Sequence, residues 1–226
     1  MLQEAAHEVV LDSLSVGRQG STGTLEIPMP RSLRLARILS DLLSPPIVAI
    51  GVFWVLAGAT ARTTRWPVFL ACATTQSAFP LAFLGVAVRH GKIRDVNMSL
   101  REERRLGFLA LGLVYALGGL TAVLLGVRGP SLFVCLCTLA VIAAVWAVNL
   151  VYKASGHVAG ATAYMAAVSI FVEPLHAGLF LIPAVSWARV RSGEHTRVQV
   201  ILGAILGAGV ALGFFFLTQR FIVPLK

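Results

Sequence analysis

Charge is scarce in this sequence. Of its 226 residues only 13% are Asp, Glu, Lys or Arg, while 57% are hydrophobic and mean hydropathy is +0.83. A soluble domain carries about 25% charged residues, so roughly half of an ordinary polar coat is missing. That shortage excludes a water-soluble globule, which would have nowhere to bury so much apolar surface, and points to an integral membrane protein. Acids are the scarcer sign: 10 Asp and Glu stand against 19 Lys and Arg, a formal net charge of +9. Two explanations compete for the surplus: loops biased to Lys and Arg on the cytoplasmic side, and a site built to hold an anion. Cysteine is rare too. Cys72, Cys135 and Cys137 are odd in number and sit inside apolar runs, without the loop spacing of a disulfide or metal framework, so they are expected to be packing residues. The first residues hold neither a basic cluster nor an apolar core, which argues against a secretory signal peptide. No internal repeat is visible.

Long apolar runs, in contrast, are plentiful. A membrane-crossing helix needs about 20 mostly apolar residues, and such runs occupy 43–60, 67–88, 107–126 and 131–152. The stretch 157–188 is too long for one span. Glu173-Pro174 interrupts it, and proline removes a helical hydrogen bond, so two spans are expected at 157–172 and 175–188 with a turn at 173–176. A last run, 198–221, brings the expected number to seven. The fold class that follows is all-α: a polytopic membrane helical bundle of about six to seven transmembrane helices over 39–226, after an N-terminal arm at 1–38. Within the arm, 16–24 reads as linker. Residues 32–43 intersperse Arg34 and Arg37 with Leu33, Leu35, Ile38 and Leu42, as in a short amphipathic helix on a membrane surface.

Seven spans place 14 of the 19 Lys and Arg on one side, which marks that side as cytoplasmic. Trp66 and Trp187 fall where interfacial belt residues would sit. Three polar patches lie on the same basic side. The first is Arg94-Asp95-Val96-Asn97-Met98-Ser99-Leu100-Arg101-Glu102-Glu103-Arg104-Arg105. The second is Lys153-Ala154-Ser155-Gly156-His157, and the third runs from Arg189 through Glu194, His195 and Thr196 to Gln199. Guanidiniums hold phosphate oxygens bidentately and stay charged at any working pH. A Ser-Gly turn opening a helix aims backbone N–H groups and the positive end of the helix dipole at an anion. Two histidines can then divide the work, one attacking phosphorus and the other protonating the leaving oxygen. No metal or other cofactor is called for, since the adjacent arginines make ion pairing the easier account of Asp95, Glu102 and Glu103. Glu173 and His176 are expected at the far turn as solvated loop residues.

These motifs resemble the type 2 phosphatidic acid phosphatase superfamily of integral membrane lipid phosphatases. That family carries Lys-x6-Arg-Pro, then Pro-Ser-Gly-His, then Ser-Arg-x5-His-x3-Asp. Here the second appears as Ala154-Ser155-Gly156-His157 and the third as Ala188-Arg189-x5-His195-x3-Gln199. The resemblance covers roughly residues 89–215. It implies His195 as the nucleophile, His157 as the general acid, Arg189 as a phosphate ligand, and Ser155 with Gly156 as the phosphate-cradling turn. The first motif fits less closely. Arg94-x6-Arg101 keeps the spacing with Arg for Lys, but Glu102 replaces Pro, and Arg104 and Arg105 are alternative phosphate ligands. Arg101 and Arg104 are favoured because residues three apart share a helix face. Lys153 is an additional cation.

One departure touches the chemistry directly. The family's last aspartate orients the nucleophilic histidine and steadies its positive charge; here Gln199 stands in that place. Either Glu194 or Asp95 supplies the charge, or turnover is slow, or the chain binds lipid phosphates without hydrolysing them. The expectation is a metal-independent phosphatase of an amphiphilic lipid phosphate, isoprenoid phosphate or diphosphate first and a phosphatidic acid-type lipid second. The alternatives are a lipid-phosphate binding or translocating protein and a phosphotransferase. No nucleic-acid partner is expected. Setting aside Arg94, Arg101, Arg104, Arg105, Lys153 and Arg189 as phosphate ligands leaves eight cations against five, still biased to the same side.

Overall fold

In the computed structural model, residues 30–58, 62–98, 101–172 and 180–219 are described, the side chains at 101 and 102 excepted. Every regular element among them is helical. In chain order these are α1 (Arg31–Leu42), α2 (Pro45–Gly58), α3 (Arg62–Ala73), α4 (Phe79–Arg89), α5 (Arg101–Leu124), α6 (Gly129–Val151), α7 (Gly156–Phe171), α8 (Leu181–Arg191) and α9 (Arg197–Thr218). A π-helical turn, Thr74–Ala78, joins α3 to α4. Local sequence explains the starts. Gly129-Pro130 opens α6, where a proline loses nothing because the first N–H groups of a helix have no acceptor. Ser155 caps α7, and a Thr196–Gln199 capping box opens α9.

Four stretches are long and apolar enough to cross a membrane: Arg62–Arg89 (continuous through the π turn), Glu103–Leu124, Gly129–Val151 and Arg197–Thr218. Helices α1 and α2 together would make a fifth, bent by 54°. The remaining segments read as spans are shorter. Helix α7 has 16 residues, about 24 Å at 1.5 Å per residue, and α8 has 11. Four or five candidate crossings therefore stand where the sequence predicts six to seven. The expected turn at 173–176, with Glu173 and His176, lies outside the described residues, as does the arm up to residue 29. The outer surface is apolar, as a bilayer would require: α5 turns Leu109, Leu113, Leu117 and Leu120 outward while Leu111 and Tyr115 are buried.

The amphipathic segment forms as a helix. Its Ala36 and Ser40 are buried where α1 packs along α8, Arg191 Nη2 donates to Ser32 Oγ at 2.7 Å, and Leu35, Ile38 and Leu42 face outward. The compact helical unit begins at Arg31, so α1 belongs to it, although the sequence divides arm from bundle after residue 38. The cysteines are buried packing residues, with Cys135 Sγ donating to Cys72 Sγ at 3.8 Å. The π turn has no counterpart in the sequence reading. It buries Thr75, Gln76 and Ser77, and Thr75 Oγ1 returns a hydrogen bond to the Ala71 carbonyl at 2.8 Å. Trp66 is exposed and lies 5.4 Å from Trp54, ring centre to ring centre.

Helices α7 and α9 meet most closely. A Cβ placed on Gly207 would lie 2.2 Å from the Ala159 carbonyl oxygen, and one on Gly203 would lie 2.6 Å from that of Ser155. Both obstacles are backbone, which cannot rotate away, so Gly203-x3-Gly207 serves close helix packing. Gly207→Ala is expected to lower the thermal unfolding midpoint in detergent, at an overpacking cost of about 1–3 kcal/mol. Gly209→Ala, where a Cβ meets open space, is expected to leave the midpoint unchanged.

Candidate functional site

Three loops converge at one end of the bundle. The α8–α9 connection sets the first element. Gly193, at φ 78°, takes the left-handed conformation that ends α8, and the chain then folds back so that the His195 N–H donates to the Arg189 carbonyl at 3.1 Å. His195 is thereby fixed above the last turn of α8 and immediately before the cap of α9. The Gln199 side chain reaches back across that cap: its Oε1 accepts from the Thr196 N–H at 3.1 Å and lies 3.1 Å from His195 Nδ1. Because the Thr196 N–H requires an oxygen, the same oxygen faces the imidazole. His195 must then carry its proton on Nδ1, which leaves Nε2 as the ring's electron pair. Burial lowers the His195 pKa first, aided by the nearby cations Arg189, Lys153 and Arg104 and opposed by the Gln199 hydrogen bond, to about 3. The ring is neutral through the physiological range.

The second element is the start of α7. The Ser155 N–H donates to the Gln199 carbonyl at 3.1 Å, tying the α7 cap to the first turn of α9. Ser155 Oγ accepts from the Val158 N–H at 3.5 Å. Next to this cap, Lys153 Nζ donates to the Glu194 carbonyl at 2.5 Å, which joins two of the loops. Partial burial pulls the Lys153 pKa below its usual value, and Arg104 pulls the same way while Glu194 opposes. His157 is the second residue of α7, and its Nε2 is buried with no hydrogen-bond partner.

Arg189 is the third and central element. Its residue is only 2% exposed, the largest of the fully buried side chains. Nη1 donates to Ser40 Oγ at 2.8 Å and to Asn97 Oδ1 at 3.3 Å, and Nη2 lies 3.7 Å from Glu194 Oε2. Its Nε is buried without a partner. Asn97 is presented by an Asx turn in which its N–H donates to Asp95 Oδ1 at 2.8 Å. Neither Ser40 nor Asn97 was singled out by sequence. They come from segments 149 and 92 residues away in the chain, and the signal that existed was a polar pair, Ser40-Asp41, at the junction of amphipathic helix and first span.

These elements form the polar end of a cavity of about 250 Å³. His157, His195, Arg104, Lys153, Gly156, Arg189 and Glu194 all line it, joined by Asp41, Ser44 and Asn97. Ser155 and Gln199 support it from behind. Of the other sequence candidates, Arg94 and Arg105 are exposed and, with Asp95, do not line the cavity. The Arg94 N–H donates to Glu103 Oε1 at 2.8 Å, and Trp146 Nε1 donates to the Arg105 carbonyl at 3.0 Å. The Arg101 side chain lies outside the described residues. Beyond the charged groups the cavity is walled by apolar and aromatic side chains of α2, of α4 to α7 and of the loop before α5. Among the described residues no three His, Cys, Asp or Glu side chains group to hold a metal. Comparison with protein-family models, with curated proteins and with solved structures gives no match.

Proposed function

We propose that this chain is a multi-pass integral membrane protein of six to seven crossings that hydrolyses a lipid phosphate or diphosphate through a phosphohistidine. One observation carries the reading. Two histidines and three cations meet at the polar end of an otherwise apolar cavity, and two buried nitrogens there, His157 Nε2 and Arg189 Nε, have no protein partner. Buried polar atoms are nearly always paired, so unpaired ones on residues that line a cavity argue for a ligand that supplies the missing oxygens. An amphiphile matches the division of the cavity into charged and apolar parts. Isoprenoid phosphates come first among candidates and phosphatidic acid-type lipids second.

The chemistry assigned to these groups is a double displacement. Arg189, Arg104, Lys153 and the first N–H groups of α7 hold the phosphate oxygens. His195 Nε2 attacks phosphorus, the N–P bond forms as the P–O bond to the lipid breaks, and the leaving oxygen takes a proton from His157. In this scheme His157 enters the cycle protonated. Water then attacks the phosphohistidine, His157 takes its proton, and inorganic phosphate leaves with His195 restored. The preorganised cations stabilise charge on the equatorial oxygens throughout. The Lys and Arg asymmetry assigns this end of the bundle to the cytoplasmic face.

Gln199 favours a second reading, in which the chain binds or translocates a lipid phosphate, or transfers the phosphoryl group to another acceptor, with hydrolysis impaired. An amide orients His195 but cannot steady its positive charge. Phosphate release by the purified protein in the presence of a chelator, across isoprenoid phosphates and phosphatidic acid, separates hydrolysis from binding, and product analysis with added alcohols exposes transfer. Gln199→Glu keeps the side-chain length needed for the Thr196 cap while adding the charge. It is expected to raise the His195 pKa and increase the rate of phosphate release about tenfold or more. A rate no greater than wild type would show that charge at this position is not what limits the protein.

A further inference from the structure

The cavity continues well past the charged groups, and helix geometry gives its direction. On α5 the lining residues are Arg104, Phe108, Leu111 and Tyr115, one stripe that runs about 16 Å along the helix. On α7 they include His157, Gly160 and Tyr164, about 10 Å from first to last. At the polar end a Cβ on Gly156 would touch Phe108 and Val145, at 3.5 and 3.6 Å. At the other end Thr138 of α6 donates to the Tyr164 hydroxyl at 3.4 Å. The charged head and the Tyr164–Thr138 pair are thus opposite ends of one slot lined by α5, α6 and α7, with α2 and α4 closing its other walls.

Size then limits what the slot takes. A cavity of about 150 Å³ accepts benzene, so one of about 250 Å³ holds roughly ten heavy atoms. A phosphate uses half of them. Resting on the lipid-phosphate reading above, we infer that the site selects single-chain lipid phosphates, taking the phosphate and about the first five carbons of one chain. Tyr164 sets how many carbons are bound. A glycerolipid, which branches into two chains next to the phosphate, does not fit. The slot thus ranks isoprenoid and alkyl phosphates ahead of phosphatidic acid.

The test uses the full-length protein in phosphatidylcholine nanodiscs and a series of n-alkylphosphonates, which carry the head but cannot be hydrolysed. From methyl to about pentyl, affinity is expected to rise about fourfold per methylene and then level off. Tyr164→Ala should move the plateau to longer chains, and Tyr164→Phe, which keeps the volume, should leave it in place. Leu81 lines the slot from α4 and is 37% exposed, so Leu81→Trp narrows it with little risk to folding and should bring the plateau to shorter chains. A phosphonate carrying two hexanoyl chains on glycerol is expected to bind about tenfold more weakly than hexylphosphonate. Affinity that is flat from methyl onward, a plateau unmoved in both Tyr164→Ala and Leu81→Trp, or equally tight two-chain binding would overturn the slot. Phosphate release from the matching alkyl phosphates is measured alongside. Chain-dependent binding without any release overturns the hydrolase reading and keeps the slot; release that ignores chain length does the reverse.

Discussion

Replacing His195 with alanine is expected to reduce phosphate release at least about 10³-fold while leaving alkylphosphonate binding nearly unchanged. His195 is held from both sides, its N–H on the Arg189 carbonyl and its Nδ1 on Gln199 Oε1, so its remaining nitrogen is the one electron pair that the surrounding hydrogen bonds leave for the cavity. Alanine keeps the backbone anchor and the α9 cap but removes that pair. Holding of the phosphate falls to Arg189, Arg104 and Lys153, which the substitution does not touch. Kinetics of release set beside equilibrium binding of hexylphosphonate read the two effects separately. If His195→Ala released phosphate as fast as the wild type, a phosphohistidine route would be wrong.

Arg189→Lys is expected to be nearly as damaging, about 10²–10³-fold in phosphate release, although it preserves the charge. The guanidinium spans three partners at once, Ser40 and Asn97 through Nη1 and Glu194 through Nη2. A single ammonium on a flexible stem cannot meet all three and also face a phosphate. Ser40 and Asn97 would then lose a buried partner, a cost of about 1–3 kcal/mol for each unsatisfied group. A lower thermal midpoint should therefore accompany the lost rate. Wild-type activity in Arg189→Lys would mean that bidentate geometry at this position plays no part.

The sequence points to the two histidines, Gly156, Lys153 and Arg189, which the fold brings to one cavity, because each stands in a short polar patch that interrupts the apolar runs. Among the basic residues after residue 100, spacing favours Arg101 and Arg104 and keeps Arg105 as an alternative. Helix α5 separates them, Arg104 on the cavity stripe and Arg105 exposed one position around. What sequence could not disclose were contacts made by tertiary approach. Ser40 reads as part of a surface helix until α1 packs along α8, and Asn97 reads as loop until the Asx turn aims it at Arg189. Gln199 reads as a lost carboxylate; its second task, capping α9, emerges only from the geometry of Thr196. Hydropathy locates the apolar runs by length of sequence, whereas a candidate span is a length of unbroken helix, and by that measure α7 and α8 fall short of the four or five that qualify. The π turn is invisible to such a count because Thr74–Ala78 adds to the run without ending it.

The glycine seam between α7 and α9 bears on how a substrate gets in. Backbone meets backbone there, and the Ser155–Gln199 hydrogen bond clips the two helix starts together. His157 sits on one member of this pair and His195 at the threshold of the other, so the close packing of the two helices sets the spacing of the two rings. On the lipid-phosphate reading proposed above, a chain is then expected to enter from the opposite wall, past α1, α2, α4 or α5.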